Sequence, residues 1–311
     1  MADLESDAAK WLGGTLYIPA THNALRQVIM GHLQVQPDSV IICFEDSVSV
    51  DDASKAIYHF PNILHFLSSC TNQQIKFFVR PRTPQMLKQL TKMDNAHYLT
   101  GAVLPKWDTD TIAAWSNAIS AQPDWIIMPI LETIKVLQPD SMRRLCDQLY
   151  NSPMAGRVAA LRVGGNDLMA LLGLRQERKK NLYNGPLASV MFDLLRIFPP
   201  AGFPLTAPVF DFFDDHQALL QEAELDMLYG FYGKTAIHPA QLSVIRYAYQ
   251  PKVEDTALAQ RILNPGTPKV FRIDGRMIEV AVHSNWAHRV LQRAYRFGVR
   301  NHGELDSIIG G

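Results

Sequence analysis

Two carboxylates, Glu132 and Asp167, each stand just past a short apolar run. Ile126 to Leu131 leads into Glu132-Thr133, and Val158 to Val163 leads into Gly164-Gly165-Asn166-Asp167. Two hard oxygen donors that leave positions open for water and substrate are what Mg2+ prefers. Gly164 and Gly165 would let a substrate approach the backbone closely. The plainer alternative is that both acids sit in the first turn of helices, where the dipole favours them.

Other reactive groups follow the same rule. Val40 to Phe44 runs into Glu45-Asp46, which either shares helix capping with Ser47, Asp51 and Asp52 or orients a metal-bound water. Phe77-Phe78-Val79 runs into Arg80-Pro81-Arg82. A guanidinium binds a carboxylate bidentately and keeps its proton, so an inward Arg80 suits a substrate carboxylate or an enolate oxygen. Lys106 follows Ala102 to Pro105. It is either the Schiff-base nucleophile of a metal-free aldolase or a cation kept charged by neighbouring acids. Tyr229 to Tyr232 runs into Gly233-Lys234, whose lysine could hold a phosphate or carboxylate. His238, beside Pro239, is a structural histidine or else a ligand or base.

Apolar runs bounded by turn signals read as fully buried parallel strands. Eight such strands begin near Thr15, Ser39, Lys76, Gly101, Trp125, Val158, Leu205 and Met227. Between them lie helical segments near 23–33, 109–120 (capped by Asp108), 141–150 (capped by Asp140) and 215–225. This alternation predicts an α/β fold, a TIM (β/α)8 barrel whose chemistry gathers at the C-terminal strand ends. An open doubly wound sheet is the weaker alternative, because Gly13-Gly14 precedes the first strand and no GxGxxG follows it. Residues 1–250 form the barrel. Residues 251–311 add a helix (255–263), a hairpin turning at Asp274-Gly275 and a final helix (284–297). That segment is too short for a core of its own and is expected to close as a lid on its own barrel or on a neighbour's.

The 311 residues are 47% hydrophobic and 19% charged with zero formal net charge, so no global field attracts nucleic acid or an anionic membrane surface. The densest basic cluster, Arg175 to Lys180, is a solvated segment or a phosphate anchor. Three scattered cysteines, Cys43, Cys70 and Cys146, argue against disulfides or structural zinc. The polar start, Met1 to Lys10, lacks the pattern of a signal peptide, and no apolar run spans a bilayer. A soluble cytoplasmic protein is expected.

Several pieces together resemble one family. They are Leu16-Tyr17-Ile18-Pro19, Phe44-Glu45-Asp46-Ser47-Val48, Val79-Arg80-Pro81, Leu104-Pro105-Lys106, Leu131-Glu132-Thr133, Gly164 to Leu168, and Gly233-Lys234-Thr235-Ala236-Ile237-His238-Pro239-Ala240-Gln241. From about Gly14 to Ala281 the chain resembles the citrate lyase β-subunit-like branch of the HpcH/HpaI aldolases. It looks closer still to a divergent branch, the C–C bond lyases of tellurium-resistance gene clusters. The resemblance implies a TIM barrel, a trimer or hexamer, and Mg2+ held by Glu132 and Asp167. Arg80, with Lys106, Gly164 and Gly165, would bind a small carboxylate or acyl-thioester substrate, and Glu45 and Asp46 would support the metal water and the reacting hydroxyl. Glu279, from Gly275 to Glu279, would reach a neighbour's site.

Three positions depart from that family. Gly14-Thr15 replaces an Arg-Ser pair whose arginine contacts substrate, Cys43 replaces an aspartate, and Asn166 replaces an acid. Arg162 or Arg82 is then expected to supply the missing cation. The expected activity is a Mg2+-dependent carbon–carbon lyase or aldolase. Alternatives are a malyl-CoA-type thioester hydrolase, with Glu279 essential, and a non-catalytic barrel that binds a metabolite.

Overall fold

The computed structural model describes residues 12–46, 48–70, 75–178, 180–300 and 308. The polar start, Ser47 and Lys179 lie outside them. Eight parallel strands run in the order β7-β6-β5-β4-β3-β2-β1-β8. They are β1 (Gly13–Pro19), β2 (Ser39–Cys43), β3 (Lys76–Arg80), β4 (Gly101–Leu104), β5 (Ile126–Leu131), β6 (Leu161–Val163), β7 (Leu205–Thr206) and β8 (Gly233–Ala236). A bridge between Ala207 and Lys234 brings β7 to β8, so the sheet is a nearly closed barrel rather than an open one.

The strands are apolar on both faces because each face meets a different core. Leu12, Ile41, Phe78, Val103, Met128, Ile130 and Ala160 fill the barrel with Tyr17 against them. Alternate residues such as Val40, Ile42, Phe77, Val79, Ala102 and Leu104 face the surrounding helices. Register aligns the inward row Tyr17, Ile41 and Phe78; two residues further on, the same face carries Pro19, Cys43 and Arg80. The period of two thus lifts Arg80 to the C-terminal mouth, pointing inward.

Helices cover the barrel where helical spacing and caps place them. Val50–Ser69 starts at Ser49, whose hydroxyl accepts from the Asp52 amide. Pro139–Tyr150 begins two residues earlier than expected, so Asp140 lies in its first turn and not at the cap, which is Gln138; His216–Tyr229 is capped by Asp215 accepting from the Ala218 amide. Asp108 does cap its turn, accepting from the Asp110 and Thr111 amides, although the helix itself begins at Ile112.

The eighth strand is not where the apolar run Tyr229 to Tyr232 placed it. Leu219, Leu220 and Ala223 keep their helical face buried, so the helix continues to Tyr229 and ends at Gly230 in the left-handed region (φ 97°). The strand is the less apolar Gly-Lys-Thr-Ala that follows.

Past Pro251 come the helix Val253–Leu263, the hairpin β9 (Val270–Ile273) and β10 (Arg276–Glu279), and the helix Val280–Phe297. Asp274 and Gly275 both have positive φ, as a two-residue hairpin turn of this hand requires. A small cluster of Ala259, Ile262, Phe271, Ile278, Ala287 and Val290 holds these elements together. Their anchors to the barrel include residues just before strands β2 and β8 and the end of the helix that follows β8. Arg289 donates to the Gly230 carbonyl, Arg296 pairs with Asp38, and Gln250 donates to the Phe297 carbonyl. In its own chain the extension therefore caps the end opposite the mouth and is no lid there. Among the described residues, no helix is long and apolar enough to cross a membrane.

Candidate active site

A cavity of about 370 Å³ opens at the C-terminal strand ends, lined among others by Tyr17, Cys43, Asp46, Arg80, Glu132, Arg162, Gly164, Gly165, Asp167 and Thr235. Glu132, Asp167, Arg80, Asp46 and both glycines, singled out from the sequence, meet here. Glu45 and Lys106 do not line the cavity; they stand behind and beside it. Glu279 is exposed on β10, outside its own chain's cavity.

Arg80 gathers the acids. Its Nη2 lies 2.7 Å from Glu45 Oε2, 3.1 Å from Asp46 Oδ2 and 3.4 Å from Glu132 Oε2. Lys106 Nζ donates to Glu45 Oε1 at 2.5 Å, and its backbone amide donates to Glu132 Oε1 at 2.6 Å. That amide is aimed by an unusual backbone: Lys106 has φ 50°, a conformation seldom adopted by a residue with a side chain. Burial works against the lysine's charge, but Glu45, Asp46 and Glu132 outweigh it and raise its pKa. A lysine so held is a supporting cation, not an amine nucleophile.

The acids differ in charge. Burial, opposed by Arg80 and reinforced by the Asp167 charge, pushes Glu132 up to about 7. Burial and the Asp46 charge also raise Asp167. For Asp46, burial is outweighed by the hydrogen bond with Glu45 and by Arg80 and Lys106, so its carboxyl falls below the usual range. Glu45 is raised, chiefly by burial and by its bond with Asp46. Asp46 is thus held ionised at the cavity, and Glu45 positions the two cations.

The carboxylate pair fits Mg2+. Among the described residues, no three His, Cys, Asp or Glu side chains converge as a ligand set. A pair of carboxylates with the rest of the shell left to water and substrate is the usual Mg2+ arrangement. Asp167 raises the cost of ionising Glu132, and takes no part in the Arg80 and Lys106 ion pairs. Gly164 is required for this geometry: a Cβ there would lie 2.4 Å from Glu132 Cβ and 2.8 Å from its Oε2. Gly164→Ala should displace Glu132 and weaken Mg2+ binding by about 10- to 100-fold, as disturbing a ligand's support does. Titration calorimetry reads this, and an unchanged affinity would mean that Glu132 need not stand where it does.

Several expected roles are corrected. Lys234 faces outward on β8, one residue out of phase with the inward Thr235. It is fully buried between Glu222 (2.9 Å) and Asp226 (2.9 Å) and touches no ligand site. His238 stacks on Phe213 and accepts from the Ala240 amide at the surface. Gln241, at the end of this stretch, ties two strand-end loops together: its Oε1 accepts from the Ile237 and His238 amides and its Nε2 donates to the Phe210 carbonyl. Arg82 clamps the Glu45 and Val48 carbonyls and supplies no cation to the cavity. In the basic cluster, Arg178 is paired with Asp214 and Lys180 with Glu177.

Gly14 lies at the start of β1, its Cβ position against Leu242 and Ile245. A side chain there would face the helix layer, so the mouth loses nothing by the glycine. Tyr17 and Thr235 went unnoticed as cavity residues. The signal was the inward face they share with Thr15, Pro19 and Cys43, legible only once register is known.

Comparisons with known proteins show the family and the fold. A family model described as C–C bond lyase of the TIM-barrel fold matches residues 6–299. A (3S)-malyl-CoA thioesterase of Cereibacter sphaeroides is 24% identical over 298 residues, covering 90% of this chain and 93% of that one. Two solved structures share the fold. CitE of Mycobacterium tuberculosis, in complex with magnesium, acetoacetate and coenzyme A, has a TM-score of 0.68 at 21% identity, covering 91% of this chain and 98% of that one. A citrate lyase of Burkholderia xenovorans LB400 has a TM-score of 0.72 at 16% identity, covering 96% and 95%.

Proposed function

We propose that this chain, which belongs to the C–C bond lyase family of the TIM-barrel fold, is a Mg2+-dependent lyase that works through an enolate on a carboxylate-bearing hydroxy acid or its coenzyme A thioester. The observation that carries the reading is that Glu132, Asp167, Arg80 and an ionised Asp46 share one cavity at the strand ends. Glu132 and Asp167 would hold Mg2+, which supplies Lewis-acid polarisation of a carbonyl or carboxylate oxygen when bound.

The chain's own groups account for the rest. Asp46, ionised and facing the cavity, accepts the proton of the substrate's 3-hydroxyl. That oxygen's electrons form the new carbonyl as the C2–C3 bond breaks, and the released pair becomes an enolate on the other fragment. Arg80, buried but kept charged by Glu132 and Glu45, stabilises the enolate oxygen. A proton from solvent on the enolate carbon completes the cleavage, and Asp46 releases the proton it took back to solvent.

The thioesterase similarity favours a second reading, in which the same pocket hydrolyses a malyl-type thioester. Glu279 of a neighbouring copy would then serve the attacking water, since the hairpin lies away from its own mouth. The homo-oligomer belongs to this proposal.

One assay separates the readings. Candidate 3-hydroxy acids and their thioesters are scored for carbonyl product and for free thiol, with Mg2+ and with chelator. The lyase predicts carbonyl release that chelator abolishes and Glu279→Gln spares. Thiol release lost in Glu279→Gln identifies the hydrolase, and neither product from any candidate rejects both.

A further inference from the structure

We infer that Arg162 is the receptor for a second carboxylate of the substrate, remote from the carbonyl group that reacts, and so selects dicarboxylic over monocarboxylic acids. The inference rests on the catalytic reading above and adds the substrate class to it.

The argument begins with a charge that lacks a counter-charge. Arg162 pairs in register with Ile130 and Thr206 and shares the inward face. It is only 3% exposed. Its Nη2 donates to the Thr235 hydroxyl, its Nη1 lies 3.5 Å from Met128 Sδ, and its guanidinium lies 5.6 Å from the Tyr17 ring centre. None of these partners is anionic; burial raises the Tyr17 phenol's pKa, so it stays neutral.

The barrel's other buried cations are treated differently. Arg80 has three carboxylates within 3.4 Å, and Lys234 has two at 2.9 Å. A buried ion without a partner is costly, and a guanidinium cannot shed its proton to escape the cost. Arg162 also lines the cavity, so an anion entering from the mouth can reach it.

The placement of the two arginines defines the ligand. Arg80 and Arg162 both lie against the Tyr17 ring, at 5.7 and 5.6 Å. Arg80, on β3, stands with Glu45, Asp46 and Glu132 and serves the reacting carbonyl; Arg162 stands on β6 with Thr235 of β8 beside it. A small molecule that satisfies both carries two anionic or oxyanionic ends. The two cations reach the one cavity from β3 and β6.

The test uses matched acids that differ by a carboxylate for a methyl: malate against 3-hydroxybutyrate, succinate against butyrate, and 2-oxoglutarate against 2-oxopentanoate. Binding to the full chain is measured by calorimetry with Mg2+ present. The wild-type protein should prefer the diacid of at least one pair by about 30-fold or more, in line with a charge-assisted, bidentate contact. Arg162→Met should cut that preference to below about threefold without weakening the monoacid, and Arg162→Lys should keep part of it.

Thermal melting guards against a merely structural role. Ligand-free Arg162→Met should melt at or above the wild-type temperature, because an unpaired buried charge has been removed. The inference is overturned if no diacid is preferred, if diacid and monoacid affinities fall together, or if the variant melts well below wild type. A separate Mg2+ titration distinguishes the failures. Lost metal binding with intact diacid selectivity rejects the metal reading alone; intact metal binding with unaltered selectivity in Arg162→Met rejects the Arg162 role alone.

Discussion

Glu132→Gln and Asp167→Asn are each expected to weaken Mg2+ binding by about 100-fold or more and to lower turnover by about 1,000-fold, because each would remove one of the two charged oxygen ligands proposed for the ion. Their effect on folding should run the other way. Glu132 is raised to about 7, first by burial and then by the neighbouring Asp167. A carboxyl whose folded pKa is raised binds its proton more tightly in the native state than in the unfolded chain. Its contribution to stability is therefore present at low pH and lost as pH rises through about 7. At pH 8 the ionised, metal-free form costs on the order of 3 kcal/mol. Glutamine keeps an acceptor for the Lys106 amide, and Arg80 keeps Glu45 and Asp46. Metal-free Glu132→Gln should consequently melt above the wild type at pH 8, with the gain gone below the usual glutamate range. Added Mg2+ should raise the wild-type midpoint and leave the variant's unmoved. A variant that is destabilised at pH 8 and still binds Mg2+ would make Glu132 a strut for Arg80, not a ligand.

What the sequence made legible was the set of strand ends. Buried parallel strands are apolar throughout, so the first charged residue after each run marks the mouth. That continuous apolarity also hides which face a residue takes. Lys234 and Thr235 are adjacent, and only register shows that the threonine faces Arg162 while the lysine faces a helix. Gly14 was misjudged for the same reason. Past the last strand residue the pleat no longer guides the side chain, and loop conformation decides. Lys106, with its positive φ, turns its amide to Glu132 and its amine to Glu45. The position of the extension was least legible, because its anchors, Asp38, Gly230 and Gln250, are distant in sequence and individually unremarkable polar groups.

The largest loss of stability is expected from a residue outside the cavity. Lys234→Met leaves Glu222 and Asp226 buried without their cation, and breaking such a pair costs about 3–5 kcal/mol. The surrounding bonds cannot compensate: Tyr183 already donates to Asp226 at 2.5 Å and the Leu182 amide to Glu222 at 3.2 Å. The pH dependence has a definite sign. One cation between two carboxyls leaves a negative charge in surplus; burial, opposed by Lys234 and reinforced by Glu222, raises Asp226 to about 6. Wild-type stability relative to Asp226→Asn should therefore fall as pH rises through about 6, by about 3 kcal/mol at most. Removing the lysine raises the cost of ionisation further, so Lys234→Met should be more nearly tolerated at pH 5 than at pH 8. The triple change Lys234→Met, Glu222→Gln, Asp226→Asn should recover most of the loss, since a neutral set has no charge to leave unpaired. Urea midpoints at the two pH values read all of this. Because Lys234 faces away from the cavity, the folded fraction of each variant should keep wild-type Mg2+ affinity and turnover. A Lys234→Met protein that folds normally but loses ligand binding would return the lysine to the site from which its orientation on β8 removes it.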